Sequence, residues 1–159
     1  MDNRFFDIDS NVYLNSIYIL CSIYKSDRTL SIKDILFSLY LIKSPSISLA
    51  LLDGKSKLSF KKKLHAYDFN NIQSEMIKYT SKIFTDGLYE SLSFLFGKNL
   101  ITYDINSSLV YKSENFDKLN FKRFPKDLIY KADYANKIIR NYSQIELESK
   151  INNLWKVLL

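Results

Sequence analysis

Cysteine and histidine each occur once in this chain of 159 residues, proline twice and glycine three times. Cys21 alone cannot build a disulfide scaffold. One Cys and one His fall short of the three or four ligands of a Cys/His zinc site. Gly54, Gly87 and Gly97 lie too far apart to form a phosphate-cradling loop. Long apolar runs are also missing. The most apolar stretch, residues 35–42, is eight residues and contains Ser38, against the ~20 of a membrane span. The opening Met1-Asp2-Asn3-Arg4-Phe5-Phe6 has no basic region followed by an apolar run, so no secretory signal is read there. The expectation is a cytoplasmic chain with no membrane partner, and a free Cys21 suits a reducing compartment.

Candidates for catalysis are correspondingly thin. A Cys21–His65 nucleophile pair is conceivable, but Cys21 falls on an apolar helix face, where a thiol packs as a small hydrophobe. The carboxylates Asp104, Glu114, Asp117, Asp127, Asp133, Glu146 and Glu148 show no metal-binding spacing. The expectation is a protein that is not an enzyme, without cofactor, metal or small-molecule substrate.

Aromatic residues and lysines are what the chain does have. Twelve Tyr and eleven Phe bring the aromatic share to 15%, and such side chains fill cores or anchor interfaces. Lys+Arg total 23 against 17 Asp+Glu, a net charge of +6. Five of the lysines, Lys55, Lys57, Lys61, Lys62 and Lys63, fall within nine residues that contain no acid. Phe60, Tyr67 and Phe69 lie close by. Residues 54–71 show no clear periodicity and read as a lysine-rich loop. Three readings of it stand: a solvated loop, a contact for an acidic protein, or a contact for phosphate backbones, with bases stacking on the aromatics. Lys118, Lys122, Arg123 and Lys126 form a weaker basic set.

Hydrophobic spacing supplies the elements. Asp9-Ser10 is positioned to cap a helix over 11–25, with Asn11, Asn15 and Ser22 as its polar stripe and Tyr13, Ile17, Leu20 and Tyr24 opposite. Ser31 with Asp34 is a capping box for a second helix. Pro45 ends that helix or begins the next short element, and Ile47 to Leu52 reads as a short third helix stopped by Asp53-Gly54. Asn70/Asn71 open a long helix to about Phe96, with Gly97 as a candidate left-handed C-cap. Residues 100–105 and 108–112 alternate as a β-hairpin around Asn106-Ser107. Residues 115–124 read as irregular or a short helix. Pro125 starts a helix with Leu128, Ala132, Ala135 and Ile139 on its inner face, and Ser143/Glu146 caps the last one.

The fold expected is mainly α with a small β-hairpin: one winged-helix-like domain over 1–159, with the wing at about 100–112 and a helical extension at 125–159. The long helix offers Gln73, Lys78, Lys82, Asp86 and Glu90 but no Arg, which does not suit base-specific readout of the major groove.

Three segments carry a resemblance: Asn15 to Tyr24 with Leu30 to Ile42, then Tyr79 to Val110 (containing LxxLxxxxLI within Leu88 to Ile101), and Asp133-Tyr134-Ala135-Asn136-Lys137-Ile138-Ile139-Arg140. Together they resemble the middle component of bacterial ABC-three-component systems, which include Lamassu-type defence operons. The segment after the second helix departs from that family's pattern, being Lys-rich with one His where His, Pro and Arg are usual. The resemblance implies a non-catalytic adaptor subunit in anti-phage or anti-plasmid defence. It would link an SMC/Rad50-like coiled-coil ATPase to an effector, often a nuclease, and meet DNA through the complex. The candidate contact residues are Lys55, Lys57, Phe60, Lys61, Lys62, Lys63, Lys122 and Arg123, with Trp155 and Leu158 as C-terminal docking residues. The second reading is a stand-alone winged-helix regulator that binds nucleic acid.

Overall fold

The computed structural model describes residues 11–69 and 86–158, the side chains of Asp86 and of 155–158 excepted. The chain runs α1 (Val12–Lys25), β1 (Leu30–Ser31), α2 (Ile32–Lys43), α3 (Pro45–Leu51), α4 (Gly54–Lys63), α5 (Ala66–Phe69), α6 (Asp86–Gly97), β2 (Ile101–Asp104) and β3 (Leu109–Lys112). Two 3-10 turns, Phe116–Lys118 and Phe121–Arg123, lead to α7 (Lys126–Asn141) and α8 (Gln144–Leu158). The protein is mainly helical with one small antiparallel sheet.

Local capping chemistry starts two helices where the sequence places them. At α2, the Asp34 N–H donates to Ser31 Oγ at 3.0 Å and the Ser31 N–H donates to the Asp34 carboxylate at 3.2 Å. The same exchange joins Ser143 and Glu146 ahead of α8. α1 is capped by Asn11, whose Oδ1 accepts the Leu14 N–H at 3.0 Å; Asp9 and Ser10 lie outside the described residues.

The orientation of α1 corrects the expected stripe. Asn15 and Ser22 are buried, whereas Tyr13, Ile17 and Tyr24 are exposed. Small polar side chains allow close helix approach, and Ser22 finds partners inside. Ser22 Oγ and Ser38 Oγ of α2 share a hydrogen bond of 2.6 Å, and Asn136 Nδ2 of α7 donates to the Ser22 carbonyl at 2.8 Å. α1 packs against α2, α6 and α7.

The hairpin forms as expected, but the sheet has a third strand. β1 pairs with β3 (Leu30 with Val110), giving the order β1-β3-β2. Two residues are too few to show alternation, so no sequence pattern marks β1. In the 105–108 connection Ser108 adopts φ 55°, and the Asp104 carboxylate accepts from the Ser107 hydroxyl at 2.7 Å and the Asn106 N–H at 3.0 Å. Those bonds, Ser107's first, hold the Asp104 carboxyl below its ordinary range.

Gly97 is not the left-handed cap of α6. That role belongs to Asn99, at φ 54°. The Leu100 N–H donates to the Leu95 carbonyl and the Asn99 N–H to the Phe96 carbonyl, the two bonds of a Schellman ending. The expected start of this helix at Asn70/Asn71 lies outside the described residues. Residues 54–69 are not a loop: they form α4 and α5, and Asp53 occupies the N-cap position of α4.

Two clusters of buried side chains make up the core. One gathers parts of α2, α3, α4, α7 and α8 around Leu41, Phe60, Ala135 and Leu147. The other gathers α1, α6, the sheet and the 3-10 turns around Ile19, Leu88, Ile101 and Phe116. Tyr18, Phe124 and Ile129 pack against both. Among the described residues no single helix is long and apolar enough to cross a membrane. α2 and α3 taken together are, but the chain bends by 108° between them.

Candidate basic and aromatic interface

α4 is lysine-rich yet helical because tertiary contacts hold it. Phe60 is its one buried side chain, packed against Tyr134 of α7 (ring centroids 4.8 Å apart) and edge-on to Phe69 (5.9 Å). The Tyr134 hydroxyl donates to Ser59 Oγ at 2.7 Å. Lys63 Nζ lies over the rings of Tyr130, at 4.6 Å, and Tyr134, at 5.5 Å, a cation–π arrangement. Lys61, Lys62 and Lys63 fill the last turn of the helix, where positive charge meets the negative end of the helix dipole. α5 adds an ion pair: Asp68 Oδ1 lies 2.6 Å from Lys131 Nζ of α7, while Asp68 Oδ2 accepts the His65 N–H at 3.0 Å.

The outward face of α4 carries Lys55, Lys57, Lys61 and Lys62, all exposed. Leu58 sits among them, 64% exposed, with Lys55, Lys61 and Lys62 as its i−3, i+3 and i+4 neighbours. None of these four lysines forms an ion pair with the described residues. The result is an ordered helix face that combines four unpaired cations with one apolar side chain.

The second basic set lies beside Tyr130, which also meets Lys63. Lys122 and Arg123 are exposed in the 3-10 turn Phe121–Arg123, where Asn120 Oδ1 accepts the Lys122 N–H at 3.2 Å. Beside that turn lies a cleft of about 280 Å³ lined by Tyr24, Phe121, Phe124, Tyr130, Lys122 and Lys126. Tyr130 therefore faces the cleft and also carries Lys63 over its ring. Lys63 of one set and Lys122 and Lys126 of the other, distant in sequence, thus share Tyr130 as a neighbour. Tyr24, Phe121 and Tyr130 are the members that the sequence reading missed. The interleaved Phe121-Lys122-Arg123-Phe124 run was the available signal.

A different surface is built by α6 and the hairpin. α6 exposes Tyr89, Glu90, Ser93 and Phe96. Phe96 meets Tyr103 of β2 edge-on at 5.7 Å, and Ile105 at the hairpin tip is 79% exposed.

The remaining candidates sort plainly. Cys21 is wholly buried, and burial pushes its thiol up to about 12; His65 is exposed with its ring stacked on Tyr67. This does not build a nucleophile–base pair. Among the described residues no group of three or more His, Cys, Asp or Glu side chains could hold a metal ion. Trp155 and Leu158 fall within α8, but their side chains lie outside the described residues. Comparison with protein-family models, with curated proteins and with solved structures finds no match to this chain.

Proposed function

We propose that this protein is a non-catalytic adaptor of winged-helix-like architecture, acting in bacterial anti-phage or anti-plasmid defence to link an SMC/Rad50-like ATPase to an effector. The winged-helix reading draws support from strand order. A strand between the first two helices pairs with the second hairpin strand, and a helix directly precedes the hairpin. Its departure from that plan is the insertion of α3, α4 and α5 between α2 and α6.

One observation carries the adaptor reading: two exposed surfaces of unlike chemistry sit on different elements. Among the described residues, α6 and the hairpin present Tyr89, Glu90, Phe96, Tyr103 and Ile105 with one exposed lysine, Lys112, less positive charge than a DNA-binding winged helix uses and a chemistry that favours a protein contact. The denser positive charge lies on α4, where Leu58 among four lysines suits an acidic protein surface with an apolar centre. A bridging subunit needs two such faces.

Co-expression with a coiled-coil ATPase encoded by a flanking gene tests the reading. The two proteins should co-purify. Replacing Tyr89 and Ile105 together by Arg should abolish one of the two partner contacts, and replacing Lys57, Lys61 and Lys62 by Glu the other. A chain that pairs with no neighbour and binds duplex DNA alone would favour the stand-alone regulator instead.

A further inference from the structure

We propose that the cleft between Tyr24, Phe121 and Tyr130 binds single-stranded nucleic acid, with a base stacked on Tyr24 and the flanking phosphates held by Lys122 and Lys126. The inference does not rest on the adaptor reading.

Tyr24, at the end of α1, lies flat on Phe121, with ring centroids 4.0 Å apart and planes 7° from parallel. Phe121 in turn stacks on Phe124. Tyr24 is nevertheless 45% exposed. Phe121 covers one face of its ring, which leaves the opposite face as the place where a base would stack. A pre-ordered aromatic face costs little to engage, and every base has a π-face to lay on it.

Cations surround this platform. Lys122 and Lys126 line the cleft, and Lys63 stands over Tyr130, leading on to Lys61 and Lys62. Of the nearby acids, Asp133 lies 3.7 Å from Lys25 and 3.0 Å from Lys137, and Asp127 lies 3.8 Å from Lys131, which also meets Asp68 at 2.6 Å. Lys122 and Lys126 pair with none of these acids.

The geometry selects among polyanions. Duplex bases are stacked on each other and cannot reach a protein ring, whereas single-strand bases splay out onto aromatic side chains. An acidic peptide would meet the lysines but bring nothing planar to the free face of Tyr24. The cleft, at about 280 Å³, lies near the lower end of the ~300–1,000 Å³ of ligand sites, which suits one nucleotide of a strand that continues along the lysines.

Fluorescence anisotropy of the full chain with labelled oligothymidylate, oligouridylate and a duplex tests the proposal. Single strands should bind more tightly than the duplex at low salt, and the two single strands show whether DNA or RNA is preferred. Tyr24→Leu should weaken binding about tenfold without changing the salt dependence, because it removes stacking but no charge. Lys122→Gln and Lys126→Gln should each lower the salt slope by about 0.7. Tyr24→Trp, which keeps a ring on Phe121, should bind at least as well as the parent, so the order Trp, Tyr, Leu separates stacking from a folding defect. Equal affinity for duplex and single strand with an inert Tyr24→Leu would overturn the proposal. Displacement by polyglutamate as effective as by oligothymidylate would overturn it too.

Discussion

Removing the lysine that meets Asp68 should loosen α5, the short helix that follows the lysine-rich α4. Lys131 Nζ and Asp68 Oδ1 are 2.6 Å apart, with side chains 14% and 5% exposed. Breaking a buried pair from one side costs ~3–5 kcal/mol. For Asp68→Asn the lower end applies, because Lys131 retains some solvent and Asp127 at 3.8 Å, and the amide oxygen can still accept from His65. Lys131→Met takes away the cation 2.6 Å from the more deeply buried carboxylate and falls within the same range. In a chain of this size ~3 kcal/mol corresponds to a fall in melting temperature of roughly 6–12 °C. The double variant replaces both charges with neutral groups of similar shape, so it should recover at least ~2 kcal/mol of the summed losses. Urea unfolding followed by circular dichroism measures all four corners of the cycle. Additive losses, or single variants costing less than ~1 kcal/mol, would refute the claim that this pair anchors α5 to α7.

Further outcomes follow from the same geometry. Phe60→Ala should cost ~3–5 kcal/mol, since Phe60 is the one side chain of α4 in the core; calorimetry or chemical unfolding measures it. Ser108→Gly should stabilise the protein by about 1 kcal/mol, by relieving the left-handed φ of 55° at an exposed position. Cys21 should resist alkylation in the native state and react at the rate of unfolding. Its raised pKa means that the unfolded thiol ionises first, so this group makes stability fall as pH rises from about 9 toward about 12. Asp104 has the opposite sign. Its lowered pKa favours the fold above the ordinary carboxylate range and is lost as pH falls through the folded value. Ser107→Ala should move its titration upward in an NMR pH series.

What proved legible in the sequence was local. Ser31/Asp34 and Ser143/Glu146 act across one helical turn, and the hairpin strands alternate within a few residues, so neighbouring side chains suffice to read them. The misread parts depend on partners far along the chain. α4 has a single buried side chain and gains order from Tyr130 and Tyr134 of α7, so its own pattern looks like a loop. β1 exists because Val110 pairs with Leu30. The stripe on α1 held at Asn11 and Leu20 and failed at Asn15 and Ser22, which are small enough to be enclosed, and Ser22 meets Ser38 there. The lysines of the interface were visible individually. Their shared neighbour Tyr130 was not, because no spacing rule relates residue 63 to residue 130.

The packing of α1 against α7 bears on how the protein is made. The Asn136 to Ser22 bond closes a separation of 114 residues. At ~5–20 residues per second, synthesis leaves α1 waiting roughly 6–23 s for that partner. During this interval Cys21, buried in the finished protein in the cluster that α7 supplies, lacks the surface that completes its enclosure. The newborn chain is thus expected to need shielding by a chaperone until α7 has been synthesised, and a pause in translation ahead of residue 126 should lower the yield of folded protein.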